Sequence, residues 1–147
     1  MYKGWAFIDV DGTLIDEYDQ PRPYIKELID FLTLNKVRVI IWSGGGKQYA
    51  EDKFHRACIK IGHPELFTMA DGFLWKADKI EWNHIRPVWF VDDSKYIQEE
   101  RSKEPGFRVF RVPFYHAHTM FGDRWLLAAK ADAEMFFDKY NLGGEKK

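Results

Sequence analysis

The chain of 147 residues has little cysteine, no long hydrophobic run and no excess of charge of either sign. Its single cysteine, Cys58, excludes an internal disulfide and a metal site built from several cysteines. No apolar segment approaches the roughly 18–20 residues that a membrane span needs, and the first residues do not resemble a signal peptide. The formal net charge of −1 argues against a broad electrostatic footprint on nucleic acid. We therefore expect a cytoplasmic protein with no membrane partner.

The chain contains enough apolar residues to build the core of one domain of ordinary size. Hydrophobic residues make up 46% of it and charged residues 31%, which is the balance of a globular protein. A chain of this length can bury about 70% of its unfolded surface, so its core needs no cross-link. Aromatic residues make up 17%, and such rings either fill a core or form a contact surface. We expect one domain over residues 1–142 and a charged tail over residues 143–147.

Short apolar runs alternate with helical patterns along the chain. The predicted buried strands are Trp5–Val10, Val37–Trp42, Val88–Val91 and Phe107–Val112, with Leu66–Met69 as a weaker fifth. The predicted helices begin after Pro23, span Lys47–Ile61 and Ser94–Lys103, and run from an N-cap at Asp123 to Tyr140, with Gly143 and Gly144 ending the last. This alternation predicts an α/β fold, a single Rossmann-like, doubly wound, mostly parallel sheet with helices on both faces.

Polar residues and glycines follow three of these strands at their carboxyl ends. The first strand carries Asp9 near its end and is followed by Asp11, Gly12 and Thr13. The second strand is followed by Ser43, Gly44, Gly45 and Gly46, and the Val88 strand by Asp92, Asp93 and Ser94. Ligands of open parallel sheets bind at that edge, so we expect the three groups to converge on one site.

The carboxylates of this expected site would repel one another unless a cation lay between them. Asp9, Asp11 and Asp92 supply oxygen ligands, which suit Mg²⁺, and an ion held by few carboxylates keeps positions open for substrate phosphate. Ser43 and the glycines after it offer a hydroxyl and open backbone N–H groups that can cradle an anion. A lysine upstream of the Val88 strand would complete the charge balance.

Two common motifs fit these residues less well. An EF-hand beginning at Asp9 needs glycine at its sixth position and glutamate at its twelfth, where this chain has Leu14 and Gln20. A P-loop needs serine or threonine after its lysine, but Lys47 is followed by Gln48. Taken alone, the glycines would form a turn and the acidic pair a helix N-cap. Only the joint order of the segments indicates a site.

Taken in order, these segments resemble the motifs of the haloacid dehalogenase-like phosphohydrolases. FIDVDGTLID (Phe7–Asp16) is similar to the family's first motif, and IIWSGG (Ile40–Gly45) is similar to the second. WFVDDS (Trp89–Ser94) is similar to the fourth motif, and Lys76 takes the place of the lysine of the third. Lys79 lies in the same stretch and stays an alternative, although the spacing of Lys76 before the fourth motif fits better.

The resemblance implies a Mg²⁺-dependent phosphomonoester hydrolase whose phosphatase core is the domain over residues 1–142. Asp9 would be the nucleophile that forms an aspartyl-phosphate. Asp11 would act first as general acid and then as general base. The metal would be held by Asp9, Asp92 and the main-chain carbonyl of Asp11.

The same resemblance assigns residues to the phosphate. The phosphate-binding residues would be Ser43, Gly44 and Lys76, and Thr13 and Asp93 would be secondary members of the site. The expected role of Asp93 is to orient Lys76 or the water around the metal.

Many relatives carry an inserted cap domain, but Ile15–Pro23 and Ala70–Trp75 are too short to hold one. The chain therefore resembles the capless type, whose open site often accepts large substrates, and it has some similarity to the phosphatase domain of polynucleotide kinases. A nucleic-acid end or another macromolecular phosphate is the expected substrate. Pro113–Gly122, rich in aromatic residues and histidines, would either contact that substrate or fold over the core.

Three alternatives to this function stay open. A small nucleotide or sugar phosphatase would use the same residues on a smaller substrate. A non-catalytic regulatory module would bind phosphate without turnover. A response-regulator receiver domain also combines an acidic pair, Mg²⁺ and a lysine, but its phosphoacceptor lies on a later strand than Asp9 does. The oligomeric state is left open by the sequence.

Overall fold

The computed structural model describes residues 2–94 and 101–145, which form one parallel sheet with helices packed against it. Its strands are β1 (Gly4–Asp9), β2 (Val37–Ser43), β3 (Gly72–Trp75), β4 (Val88–Asp92) and β5 (Phe107–Arg111). Its α-helices are α1 (Ile25–Leu34), α2 (Lys47–Lys60) and α3 (Trp125–Glu145). Short 3₁₀ helices span Pro64–Met69, Trp82–His84 and Arg101–Lys103. The predicted α/β fold class is confirmed.

The strand order β3-β2-β1-β4-β5 places β1 at the centre, and every neighbouring pair is parallel. The chain moves outward from β1 through α1 and α2 to β3, and then crosses back to β4 and β5 on the other side of β1. Right-handed crossovers put connections that run in opposite directions on opposite faces of the sheet. The carboxyl ends of β1 and β4 therefore flank the point where the winding reverses, which is where open α/β sheets bind ligands.

Alternate residues of β1 point to opposite faces of the sheet, and each face has its own core. On one face, strand residues such as Ala6 and Ile8 pack in a single buried cluster with residues of all three α-helices, which include Leu28, Ile29, Leu32, Phe54, Ala129 and Ala133. The α1 members recur at intervals of three and four, the spacing of one helix face.

Aromatic rings fill the opposite face. Phe7 lies 4.8 Å from Trp42 and 5.3 Å from Trp82, measured between ring centroids, and Phe90 joins the same group. Trp82 belongs to the connection between β3 and β4, which covers this face. The rings of Phe7, Trp42 and Phe90 therefore serve the core rather than a surface.

Two predicted elements are wrong. Leu66–Met69 is part of a 3₁₀ helix that begins at Pro64, and the fifth strand is β3, further along the chain. Proline fixes φ and donates no ladder hydrogen bond, which disfavours a strand there. The last helix continues through Gly143 and Gly144 to Glu145, because a glycine costs a helix only about 1 kcal/mol relative to alanine and does not by itself end it.

The remaining boundaries agree more closely with the structure. The start of α3 is as expected, because the Asp123 carboxylate accepts a hydrogen bond from the Trp125 N–H at 3.1 Å. The helix predicted over Ser94–Lys103 falls mostly outside the described residues. In the described part of the chain, no inserted domain interrupts residues 10–24 or 76–87, as expected for a capless arrangement. No helix among the described residues is long and apolar enough to cross a membrane.

Candidate functional site

A lysine bridges two buried carboxylates at the carboxyl edge of the sheet. Asp9 ends β1 and Asp92 ends β4, and the Lys76 ammonium lies 2.6 Å from Asp9 Oδ1 and 2.8 Å from Asp92 Oδ2. Lys76 follows β3, where its N–H donates to the Ser43 carbonyl at 3.0 Å. Lys79 is exposed. Of the two candidate lysines, Lys76 is therefore the one that contacts the carboxylates.

The second oxygen of Asp9 is also held. The Thr13 hydroxyl donates to Asp9 Oδ2 at 2.8 Å across a tight turn that follows β1. Gly12 has a φ of +80° in this turn, and a Cβ there would lie 2.4 Å from the Phe114 ring and 2.7 Å from an Asp93 oxygen. Glycine is therefore required at position 12 both by its backbone conformation and by its neighbours.

Burial and like charge dominate the electrostatics of the site. The pKa of Asp9 is raised to about 8 by burial, by the charge of Asp92 and by a hydrogen bond with Asp93, and Lys76 offsets only part of this. Burial likewise raises the pKa of Asp92 against the opposing effect of Lys76. Burial would lower the pKa of Lys76, but Asp9 and Asp92 outweigh it and raise that pKa, so the ammonium stays charged.

Three carboxylates of the site offer oxygen ligands to a cation. One oxygen from each of Asp9, Asp92 and Asp93 lies within 4.8 Å of the others. Three carboxylates facing one ammonium leave excess negative charge, and an all-oxygen donor set suits a hard divalent cation such as Mg²⁺. The residues present therefore fit the expected metal, but the expected set of carboxylates is corrected: the side chain of Asp93, not that of Asp11, lies with those of Asp9 and Asp92.

The Asp11 carboxylate does not join this set of carboxylates but contacts Tyr49, a residue that the sequence did not indicate. The Tyr49 hydroxyl lies 3.0 Å from Asp11 Oδ1 and 2.8 Å from Oδ2. Burial raises the pKa of Tyr49 to about 12, helped by the hydrogen bond to Asp11 and its charge, so the hydroxyl keeps its proton and donates it. Tyr49 lies in the first turn of α2, which starts at the same sheet edge. That position was its only signal in the sequence.

The segment Ser43–Gly45 is held from two sides by aromatic side chains. The Trp75 indole donates to the Gly44 carbonyl at 3.2 Å, and a Cβ on Gly45 would lie 3.0 Å from the Tyr49 ring. The buried Ser43 hydroxyl oxygen accepts the Gly45 N–H at 3.0 Å. Because that oxygen acts there as an acceptor, its own proton can be donated to an anion.

The segment Pro113–Gly122 folds over the turn after β1 and also leaves two aromatic rings exposed. Tyr115 is buried, and its N–H donates to the Gly12 carbonyl at 2.9 Å, which folds the segment onto the turn after β1. Phe114 and Phe121 remain 37% and 85% exposed. Since the Phe114 ring approaches Gly12, at least one exposed ring lies beside the carboxylates.

Arg22 holds the turn after β1 through hydrogen bonds to its backbone. The sequence did not indicate this role. Its buried guanidinium donates to the carbonyls of Gly12 and Thr13 at 3.1 and 3.3 Å, and to both oxygens of the buried Asp123 at 3.0 Å. An arginine between two prolines has no pattern that distinguishes it from a solvated surface residue, so nothing local in the sequence indicates this role.

Comparison with known proteins adds evidence on the fold. The structure is similar to a chain of the Pnkp1/Rnl/Hen1 complex, with a TM-score of 0.51 and 19% identity, covering 78% of this chain and 47% of that one. This chain thus spans about half the length of its matched neighbour. No protein-family model and no curated protein sequence matches the chain. At that identity the likeness supports the α/β fold alone.

Proposed function

We propose that the protein is a Mg²⁺-dependent phosphomonoester hydrolase that acts through an aspartyl-phosphate, as the resemblance to the haloacid dehalogenase-like family implies. The observation that carries the proposal is the placement of Asp9. One of its oxygens contacts Lys76, which also contacts Asp92, and the other accepts the Thr13 hydroxyl. Open α/β sheets bind ligands at this winding reversal, so the fixed position of Asp9 there supports its role as the nucleophile.

The chemistry proceeds in two half-reactions. In the first, an Asp9 oxygen bonds to phosphorus while the bond to the leaving oxygen breaks, and that oxygen keeps the electron pair and takes a proton from Asp11. In the second, a water oxygen bonds to phosphorus, and the bond to Asp9 breaks and returns its electron pair to the carboxylate. Asp11 accepts the proton of the water and is ready for the next cycle.

Charge stabilisation comes from groups already in place. Asp9, Asp92 and Asp93 would hold Mg²⁺, whose positive charge, when bound, favours ionised Asp9 and polarises the phosphate oxygens. The Lys76 ammonium and the Ser43 hydroxyl would bind the phosphoryl oxygens. Donors fixed before the reaction need little reorganisation as negative charge develops.

The substrate we propose is a macromolecular phosphate, in particular a nucleic-acid end. The absence of an inserted domain in residues 10–24 and 76–87 supports an open site, and the exposed Trp75, Phe114 and Phe121 offer apolar rings. Such rings can stack on bases, and a terminal phosphate needs no long basic footprint. A small nucleotide or sugar phosphatase would need the same catalytic residues and is the alternative.

The nucleophile is tested with Asp9→Asn on 4-nitrophenyl phosphate. We expect Mg²⁺-dependent hydrolysis by the unaltered protein, a loss of at least about 1,000-fold in Asp9→Asn, and a trapped phosphoryl group on Asp9 alone. Asp138→Asn, an exposed aspartate of α3, is the matched control. Equal rates for the unaltered protein and Asp9→Asn would show that Asp9 is not the nucleophile.

The substrate class is tested by comparing a phosphorylated oligonucleotide with the corresponding nucleoside monophosphate. A kcat/KM at least about tenfold higher for the oligonucleotide, decreasing with salt, would support the nucleic-acid end. Equal values would support the small-molecule alternative. Mg²⁺-dependent phosphate binding without turnover of any ester would instead indicate a regulatory module.

A further inference from the structure

The Tyr49 hydroxyl lies within hydrogen-bond distance of both oxygens of Asp11, at 3.0 and 2.8 Å. Asp11 is exposed and follows β1 next to Gly12, so its side chain would otherwise have several staggered rotamers open to it. A tyrosine ring turns about only two side-chain torsions, and its hydroxyl stands at a fixed distance from the backbone. Tyr49 therefore restricts where the Asp11 carboxylate can lie.

The Tyr49 ring is itself held in place. It stands over Gly45, where a Cβ would approach it to 3.0 Å. On α2, the Lys53 ammonium lies 5.4 Å from the ring centroid, and Asp19 holds that ammonium at 2.8 Å. The hydroxyl is thus fixed relative to both the Ser43–Gly45 segment and the turn that carries Asp11.

We propose that Tyr49 is a positioning residue for Asp11, which it holds in the orientation that transfers a proton to the leaving oxygen. The inference rests on the proposed function and extends it to a residue outside the recognised motifs. When Asp11 is protonated, Tyr49 donates to the oxygen without the proton, and the protonated oxygen is left to face the substrate. When Asp11 is ionised, the same hydrogen bond keeps it aimed at the water.

Tyr49→Phe removes the hydroxyl and keeps the ring. The readout is kcat/KM for phenyl phosphate and for 4-nitrophenyl phosphate, because this constant reports formation of the aspartyl-phosphate. Phenolate leaves poorly without a proton, whereas nitrophenolate needs little help. We expect a loss on the order of tenfold with phenyl phosphate and about twofold or less with 4-nitrophenyl phosphate. A thermal unfolding midpoint near that of the unaltered protein shows that the fold is kept.

A double-variant cycle identifies the partner through which Tyr49 acts. In an Asp11→Asn background, Tyr49→Phe should change kcat/KM for phenyl phosphate by less than about twofold, because the positioned proton is already absent. Tyr140→Phe, on the exposed surface of α3, is the matched control and should leave both substrates unaffected.

Three results would overturn the inference without touching the proposed function. Equal losses on both esters would assign Tyr49 to folding or binding rather than to proton transfer. A full tenfold loss in the Asp11→Asn background would show that Tyr49 acts independently of Asp11. A Tyr49→Phe variant as active as the unaltered protein on phenyl phosphate would remove the inference and leave the proposed function standing. Absence of Mg²⁺-dependent hydrolysis by the unaltered protein would overturn the proposed function and the inference with it.

Discussion

A single buried arginine orders the turn that carries the proposed nucleophile and general acid. Arg22 donates to two carbonyls of that turn and forms a two-point ion pair with Asp123, and both side chains of the pair are fully shielded from solvent. The Tyr115 ring, 5.3 Å from the guanidinium, closes the same space. Burying two charges is favourable only with such a complete set of partners, so loss of either member should be costly.

We predict that Arg22→Met destabilises the protein by about 3–5 kcal/mol, because it leaves the Asp123 carboxylate buried without its cation. The measurement is the free energy of unfolding in urea. Arg108→Met is the matched control, since Arg108 pairs with Asp132 but is half exposed, and should cost about 1 kcal/mol or less. Adding Asp123→Asn to Arg22→Met should restore part of the loss. Similar costs for the two arginine variants would contradict the assigned role of burial.

At the scale of elements, the edge strand β3 decides which lysine enters the site. It has only four residues and none of them is buried, so its apolar run is shorter than the runs that revealed the central strands. Pairing of Ser43 with Trp75 sets the register of β3 on β2, and Lys76 then follows directly at the carboxyl edge. A register shift by one residue would move this lysine to the other face of the sheet.

A second link between elements is the Asp16 carboxylate, which joins the loop before α1 to the segment Pro113–Gly122. It accepts the N–H groups of Tyr18 and Gln20 at 2.9 Å each and of Ala117 at 3.0 Å. Burial alone would raise the pKa of Asp16, but these hydrogen bonds bring it below its ordinary value of 3.8. The contact should therefore depend on pH.

A lowered folded-state pKa contributes stability above the unfolded pKa and loses it as the pH falls through the folded value. We therefore predict that Asp16→Asn lowers the free energy of unfolding at neutral pH by about 1–2 kcal/mol, and by clearly less at about pH 3 and below. Urea unfolding at both pH values measures this difference. An effect of equal size at both would show that the charge of Asp16 contributes nothing.

At the scale of the whole molecule, the clustered carboxylates oppose folding until a cation reaches them. Asp9, Asp92 and Asp93 share a small volume with one ammonium, and burial, together with the charge of Asp92, raises the pKa of Asp9 to about 8. The two cores on the faces of the sheet stabilise the fold against this cost. A ligand that binds only the folded state then adds stability by mass action.

We predict that Mg²⁺ raises the thermal unfolding midpoint and that chelation reverses the rise. At 100 times its Kd the ion should add about 2.7 kcal/mol. Asp92→Asn should remove most of this response, whereas Asp138→Asn should keep it. A Mg²⁺ response in Asp92→Asn equal to that of the unaltered protein would exclude Asp92 as a ligand.

The sequence of neighbouring residues was sufficient to predict most of the strands of the sheet and the polar residues at its carboxyl edge. The strand Val37–Ser43 is apolar from Val39 to Trp42 because both of its faces are covered there, and Ser43 marks its carboxyl end. Fold class, the placement of Asp9 and Asp92, and the convergence of three strand ends all follow from patterns within a few residues.

The tertiary structure alone decided which distant side chains meet at this edge. Lys76 contacts a carboxylate 67 residues away, Tyr49 one 38 residues away and Arg22 one 101 residues away. No local pattern encodes such pairs, because they depend on the strand order, on the register of an edge strand and on the side of the sheet that each crossover takes. The sequence has one cysteine, almost no net charge and no long hydrophobic run, so the fold depends on packing. Packing also brings Lys76, Tyr49 and Arg22 to their partners.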